Sequence, residues 1–389
     1  MTAAAMTAPV ANWSYPTAIK FGPGRLRELA EHCRAAGIAR PLFVTDRGLA
    51  GLPITAAALD VLAAGGLGRA VFAGVDPNPT EANMAEGIAA FHAGGHDGVV
   101  AFGGGSALDL AKMIALMARQ RAGLSVWELE DIGDWWTRAE AAAIAPVVAV
   151  PTTAGTGSEV GRAGVLTNSA THRKTIIFHP GLMPRVAICD PELTLGMPPA
   201  ITAGTGMDAL AHCLEAYCAP AFHPMSQGIA LEGMRLVFGN LPVAFREPGN
   251  FAARGNMMAA AAMGAVAFQK GLGAIHSLSH PVGALYNTHH GTTNATVMPF
   301  VLDANRPAIE GRIAAAAAYL GFAGGFDGFR AAVMGLRAEL AIPPTLTALG
   351  VEPARLDDLT EMALADPSCG GNPVPMTRDW TRALFAACL

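Results

Sequence analysis

Up to about residue 197 the chain alternates short apolar, β-branched runs with Ala- and Leu-rich stretches of helical length. Beyond Pro198–Pro199 the β-branched runs nearly vanish. This change of texture constrains the fold more than any other feature. The runs Pro41–Thr45 (PLFVT), Val99–Phe102 (VVAF) and Val147–Val150 (VVAV) end in turn residues or glycines, with Leu26–Ala36 and Ile54–Ala64 reading as helices between them. Strand–helix alternation predicts a parallel sheet covered by helices. The early run TAIKFGPG reads as a separate edge strand closed by a turn. After the two prolines, helices fit Thr205–Tyr217, Met225–Asn240, Phe251–Gln269, Pro307–Leu320, Phe326–Leu340 and Pro353–Ala365, the pattern of a helical bundle. At 389 residues the chain exceeds what one core usually holds. The expectation is an α/β domain over residues 1–197 followed by an all-α domain over 198–389, tightly packed because no Gly/Ser linker separates them.

Charge narrows the range of partners. The net charge is −5, and the only lysines are Lys20, Lys112, Lys174 and Lys270. No basic stripe is available, so neither nucleic acid nor an anionic membrane surface is expected as a partner. No stretch reaches the length of a membrane span; the closest, Met257–Phe268, is bounded by Asn256 and Gln269 and reads as a buried helix. The N-terminal MTAAAMTAPVANW lacks the basic and apolar regions of a secretory signal. Six cysteines show no CxxC spacing, which suits reduced thiols in a cytoplasmic protein. Hydrophobic residues make up 52% and charged residues 15%, so some apolar area is expected in contacts of a homo-oligomer, a dimer or larger.

Three stretches of residues and one further carboxylate carry chemistry. The first is Gly103–Lys112 (GGGSALDLAK), which follows the VVAF strand and opens a helix. Glycines there let backbone N–H groups and a helix N-terminus approach a phosphate, and Ser106 could cap the helix or donate to the phosphate. The same pattern also suits a plain tight strand–helix turn. Pro151–Val160 (PTTAGTGSEV) follows VVAV, and Thr152, Thr153 and Thr156 could face a ligand or merely close a turn. Asp46, at the end of PLFVTD, could accept from a ribose diol and repel a 2′-phosphate, or cap the next helix. Two such loops at the carboxyl ends of one sheet reinforce each other.

The third group is rich in imidazole. Asp208 and His212 lie four apart in TGMDALAHCLEAY, and His276 and His280 repeat that spacing, although Pro281 should end or kink their helix. His289–His290–Gly291 reads as a turn. One carboxylate with several imidazoles suits a divalent cation such as Fe²⁺ or Zn²⁺. Neither HExxH nor GxSxG occurs, so peptidase and serine-hydrolase readings lack support. Trp135 and Trp136 read as packing residues.

The order and spacing of GGGSALDLAK, PTTAGTGSEV, CDPELTLGMPP, TGMDALAHCLEAY, GLGAIHSLSHPVGALYNTHHG and the late GGNP resemble the iron-containing (group III) alcohol dehydrogenases over nearly the whole chain. The resemblance implies a Rossmann-like dinucleotide-binding domain, a helical-bundle domain and an active site in the cleft between them. It implies NAD and Fe²⁺ as cofactors, with Zn²⁺ as an alternative metal. Position by position, it makes Asp208, His212, His276 and His290 the metal ligands and places His280 near the nicotinamide as a catalytic residue. Asp46, Asn78, Pro79, Gly104, Gly105, Ser106, Thr152, Thr153 and Lys174 match positions that contact NAD. The choice among the clustered histidines rests on the resemblance alone. The implied activity is hydride transfer between a small alcohol (a diol, hydroxyacid or primary alcohol) and its aldehyde or ketone. Ser368 departs from some lactaldehyde-reducing members, so the alcohol stays open. The rivals are a dehydroquinate-synthase-like or glycerol-phosphate-dehydrogenase-like enzyme, which needs cations for its substrate's phosphate, and a catalytically silent nucleotide-binding protein.

Overall fold

The structure, a computed structural model, describes residue 15 and residues 17–389. The N-terminal segment read above for a secretory signal lies outside the described residues. Six strands form one parallel sheet: β1 (Ala18–Phe21), β2 (Pro41–Asp46), β3 (Val71–Val75), β4 (Gly98–Gly103), β5 (Val147–Pro151) and β8 (Val186–Cys189), in the order β1-β8-β5-β4-β2-β3. The TAIKFGPG run is the edge strand β1, as expected. On β2, β4 and β5 alternate residues enter different cores. Leu42, Val44, Val99, Ala101, Val147 and Ala149 face one side, and Phe43, Val100, Phe102, Val148 and Val150 face the other. Burial on both faces explains why these strands read as unbroken apolar runs. Helices α1 (Leu29–Ala35), α2 (Pro53–Ala64), α3 (Glu81–Ala93) and α4 (Gly105–Met117) supply the covering layers.

The topology places the ligand edge. From β2 the chain moves outward to β3, then returns to the other side of β2 to form β4 and β5. Ligands of open α/β sheets bind at such a reversal, outside the carboxyl ends of the strands. Asp46 ends β2 and Gly103 ends β4, so both flank it. A separate hairpin, β6 (Ala163–Asn168) with β7 (Arg173–Phe178), follows β5 and carries Lys174. It is absent from the expectations above.

The second half is helical: α5 (Pro199–Cys218), α6 (Pro224–Arg246), α7 (Phe251–Ala267), α8 (Ala274–Tyr286), α9 (His290–Leu320), α10 (Gly325–Glu339), α11 (Leu356–Leu364) and α12 (Arg378–Cys388). Helix α5 is buried from Thr202 to Cys218 and packs against α6, α7 and α9 at the centre of the bundle. One expectation needs correction, and one alternative falls away. Of the two outcomes expected at Pro281, an end is excluded: helix α8 runs on to Tyr286. Packing against α9 and α11 holds it together where the proline removes one internal hydrogen bond. His290 is not in a turn: His289 caps α9, its ring accepting from the Thr292 N–H, and His290 is the first helical residue. Among the described residues no single helix is long and apolar enough to cross a membrane.

Candidate active site

The sheet edge contributes two facing loops. Gly103 has φ +146°, and a methyl group on it would lie 2.7 Å from the Ala107 Cβ, so only glycine lets β4 turn directly into α4. A methyl on Gly105 would come within 2.5 Å of Thr156 Oγ1; the second loop is pressed against the first. The Thr152 N–H donates to the Gly103 carbonyl at 2.9 Å. Two residues of α4 secure this contact. The buried Lys112 ammonium donates to the carbonyls of Ser158 (2.9 Å) and Ala163 (2.5 Å), while Asp109 accepts from Ser158 Oγ (2.5 Å) and the Val165 N–H (3.1 Å). Both residues sit within GGGSALDLAK, yet the sequence reading gave them no role.

Ser106 does not cap α4, whose N-cap is Gly104. Its hydroxyl donates to the Pro77 carbonyl at 2.6 Å and ties the DPNPT loop to the glycine loop. Asp46 does not cap α2, which starts after Leu52. One oxygen accepts from the Leu49 N–H at 2.9 Å, and the other lies on the Gly103 side. Asn78 reaches across to the helical half, where Asn78 Nδ2 donates to Asn287 Oδ1 at 2.6 Å. Thr153 lies beside Gly104, and a methyl on Gly104 would meet its side chain at 3.3 Å.

The helical half contributes the imidazole cluster. Asp208 Oδ1 lies 3.8 Å from His212 Nε2, 3.8 Å from His276 Nε2 and 3.5 Å from His290 Nε2. Donors about 2.1 Å from a shared tetrahedral cation stand roughly 3.4 Å apart; each spacing to Asp208 is near this, but the group of mutually close donor atoms does not include His212. Asp208, His276 and His290 offer atoms that all lie within 4.8 Å of one another. Asp208, His212 and His276 are buried, and His290 forms the open side. Close approach of α9 to α5 makes this possible: a methyl on Gly291 would lie 2.1 Å from the Gly204 carbonyl oxygen and 3.0 Å from the Asp208 Cβ.

Two of the three imidazoles are held toward the neutral form that binds a cation. Burial pushes His212 down to about 4, against the pull of Asp208. Burial, reinforced by Lys174 and neighbouring imidazoles, holds His290 well below the usual range. His276 is different: burial would lower it, but Glu215 outweighs that and raises it. Glu215 Oε2 sits 2.5 Å from His276 Nδ1, and Oε1 accepts from the Ile275 N–H at 2.6 Å. The carboxylate therefore fixes the proton on Nδ1 and leaves Nε2 free for a cation. The fit has a second indication. Asn294 Nδ2, with two hydrogens, faces three acceptors: Asp208 Oδ1, His276 Nε2 and His290 Nε2. At least one lone pair is left over, and a cation would take it up.

His280 lies beside the cluster, its ring stacked on His290 at 5.3 Å between centroids. Its Nδ1 is 2.7 Å from Asp366 Oδ2. Burial would raise Asp366, but His280 and the Ser368 N–H outweigh it and hold the carboxyl below its ordinary value. Lys174 projects from β7 toward α8. Burial lowers it to about 8, opposed by Asp109, Asp208 and Asp366. The motif pattern did not single out Glu215, Asp366 or Asn294. Glu215 had a signal, since Asp208, His212 and Glu215 follow i, i+4, i+7 on one helix face.

Lys270, the one lysine of the helical half, is unavailable for a substrate phosphate. Its ammonium donates to the carbonyls of Ala216, Tyr217 and Ala219 and caps the C-terminus of α5. Trp135 and Trp136 pack on Arg138 and His179 respectively.

Residues 16–191 match the family model described as iron-containing alcohol dehydrogenase, and residues 202–389 match that of the family's C-terminal region. The chain is 41% identical over 369 residues to 4-hydroxybutyrate dehydrogenase of Cupriavidus necator, covering 92% of this chain and 94% of that protein. It superposes on a crystal structure of 1,3-propanediol oxidoreductase with a TM-score of 0.92 at 34% identity, covering 98% of this chain and 100% of the other. It also superposes on sulfoacetaldehyde reductase from Bifidobacterium kashiwanohense in complex with NAD+, with a TM-score of 0.88 at 29% identity, covering 98% and 99%.

Proposed function

The chain belongs to the iron-containing alcohol dehydrogenase family, and on that premise we propose which residues carry the reaction and on what kind of alcohol. It is an NAD-linked alcohol dehydrogenase of small alcohols. Asp208, His212, His276 and His290 hold the iron. The observation that carries this assignment is the convergence of three imidazole Nε2 atoms on Asp208 Oδ1 at 3.5–3.8 Å. When bound, a ferrous ion supplies Lewis acidity toward the alcohol oxygen, and NAD accepts the hydride.

The chain's own residues bind, orient and move the proton. The N–H groups of Gly104, Gly105 and Ser106 face a pyrophosphate at the start of α4. Thr152 and Thr153 line the side of the loop toward the nicotinamide, with Lys174 nearby. Asn78 and Pro79 lie at the adenosine end, and Asp46 accepts from the ribose hydroxyls, which favours NAD over NADP. His280, held through Nδ1 by Asp366, keeps Nε2 free to take the alcohol proton toward solvent. We assign the domains to residues 1–197 and 198–389, with the cleft between them as the active site.

The substrate is a short primary alcohol bearing a second oxygen function at its far end. The relatives named for 4-hydroxybutyrate and 1,3-propanediol support this, since both compounds have that form. Six unpaired cysteines support a reducing compartment. Exposed Ile19 and Phe21 on the sheet-edge strand β1 support a homo-oligomer. The test is a screen of hydroxyacids, diols and plain alcohols with NAD+ on iron-loaded protein, alongside His276→Ala and His280→Ala. His276→Ala should lose its metal. His280→Ala should keep it, lose turnover and change its pH–rate profile. Full metal in His276→Ala, or wild-type turnover in His280→Ala, removes that residue from its role, and faster oxidation of plain alcohols overturns the substrate class.

A further inference from the structure

Helix α8 carries His276 and His280 and is buried from its first residue, yet its N-cap, Gly273, has no side chain to satisfy the first free N–H groups. A buried helix start of this kind needs acceptors from elsewhere. Two arrive from distant parts of the chain. Glu215 Oε1 accepts from the Ile275 N–H at 2.6 Å, and Asn372 Oδ1 accepts from the Ala274 N–H at 3.1 Å, across 98 residues. Gly273 makes room for both: a methyl there would lie 2.9 Å from Asn372 Oδ1 and 3.2 Å from Glu215 Oε1. Asn372 belongs to the late GGNP motif. The neighbouring Gly371 is pressed on the residue that leads into α8, since a methyl on it would lie 2.0 Å from the Leu272 carbonyl oxygen.

The Asn372 carboxamide is saturated. Its oxygen also accepts from Asn305 Nδ2 at 2.8 Å, and its nitrogen donates to Asn305 Oδ1 at 2.9 Å and to the Val374 carbonyl at 2.7 Å. Two lone pairs meet two donors and two hydrogens meet two acceptors, the full capacity of an asparagine. The Val374 carbonyl can only accept, so the nitrogen must face it and the oxygen must face the Ala274 N–H. Both asparagines are buried, Asn305 within α9 and Asn372 directly after the helical turn Pro367–Gly371. Asp366, just before that turn, holds His280. The segment therefore grips α8 at its first residue and again at His280.

We propose that Asn372 is a positioning residue for the metal centre: by capping α8 while locked to Asn305, it fixes where the helix starts and hence where His276 Nε2 points. The inference rests on the assignment of His276 as a ligand. The two capped residues, Ala274 and Ile275, immediately precede His276, so a helix start that frays or slides carries the imidazole with it. Glu215 and Asn372 divide the work. Glu215 touches the His276 ring itself, whereas Asn372 acts only through the backbone. A bond that merely stabilised the fold would be felt in the melting temperature alone. A bond that aims a ligand is also felt in the affinity and the coordination geometry of the ion.

The test uses the full-length chain stripped of metal, with Co²⁺ as the probe ion followed by its visible absorption and with folding checked by circular dichroism. Asn372→Ala should bind Co²⁺ about tenfold more weakly than wild type. Its absorption bands should also change in position or intensity, because His276 meets the ion at a different angle. NADH binding, read by fluorescence, should stay at the wild-type level. Asn305→Ala leaves the Ala274 bond in place and should lose less Co²⁺ affinity. Wild-type affinity and spectrum in Asn372→Ala overturn the proposal. So does a loss in Asn305→Ala as large as that in Asn372→Ala, or an equal fall in NADH affinity. Should Asn372→Ala fail to fold, Asn305→Ala decides: a weaker and spectrally altered Co²⁺ site supports the proposal, and a wild-type one overturns it. Full Co²⁺ binding by His276→Ala sinks the ligand assignment itself and the positioning role with it.

Discussion

Buried carboxylates without an arginine partner set the behaviour of the functional groups around them. Glu215 is buried between the Ile275 N–H and His276 Nδ1, so it orients the imidazole as well as holding its proton. Glu215→Gln keeps the size of the side chain but removes the charge. Its metal affinity should fall by about 10–100-fold, measured by competition with a chelator, and wild-type affinity would detach Glu215 from the metal centre. Glu159, in the segment after β5, behaves differently. Burial pushes it up to about 7, with Lys112 of α4 pulling the other way and the Cys189 thiol of β8 close by. A carboxyl raised on folding makes the native state bind more protons than the unfolded chain between its unfolded value, 4.5, and about 7. Stability therefore falls as pH rises through that window. Glu159→Gln should flatten this part of the stability–pH curve, as read by chemical denaturation at pH 5 and pH 7.5. An equal slope in the variant would show that other groups carry the dependence.

Elements were legible where one period ran uninterrupted. The both-faces-buried strands and the long helices announced themselves, because strand runs bounded by glycine and helical stretches of ten or more residues seldom mimic each other. The hairpin of β6 and β7 escaped because its residues, AGVLTN and RKTIIF, combine polar and apolar positions without a clear alternation. Lys174 was consequently placed by resemblance rather than by an element. The first turns of α9 escaped for a different reason. THHGTT carries glycine and three threonines, a turn-like composition, yet His289 caps a helix there and Gly291 is needed for contact rather than for turning. That yields a sharp expectation. Gly291→Ala puts a methyl 2.1 Å from the Gly204 carbonyl oxygen, a backbone atom that cannot rotate away. Helix α9 must shift, taking His290 from Asp208 while His212 and His276 stay in place. The variant should fold with a reduced melting temperature, losing about 1–3 kcal/mol of stability, and should hold metal more weakly. Unaltered metal content and melting would show that the α5–α9 contact is slack.

At the scale of the whole molecule, chemistry is divided between the halves. In the proposed assignment the α/β half supplies the phosphate loop and the ribose carboxylate, and the helical half supplies the cation donors, so hydride transfer would depend on their register across the cleft. Sequence texture could reveal that there are two halves, but not how they meet, because the contacts between them join residues far apart in the chain: Val160 packs with Ala262, Ala265 and Val266, and polar pairs cross as well. The bond from Asn78 to Asn287 is one such pair, separated by 209 residues and made near the adenosine loop. Asn287 ends α8 in the left-handed region, at φ 51°, which glycine adopts without strain. Asn287→Gly should therefore remove the cross-cleft bond without cost to the helix end, and Asn78→Ala should remove it from the other side. Each should raise the dissociation constant of NADH a few-fold, leave metal content unchanged and shift the melting temperature little. The two changes share one bond, so the double variant should bind NADH no worse than either single one. The coupling from the complete cycle should be about 1 kcal/mol. Strictly additive losses would mean that each asparagine serves the cofactor independently and that the halves are aligned by other contacts.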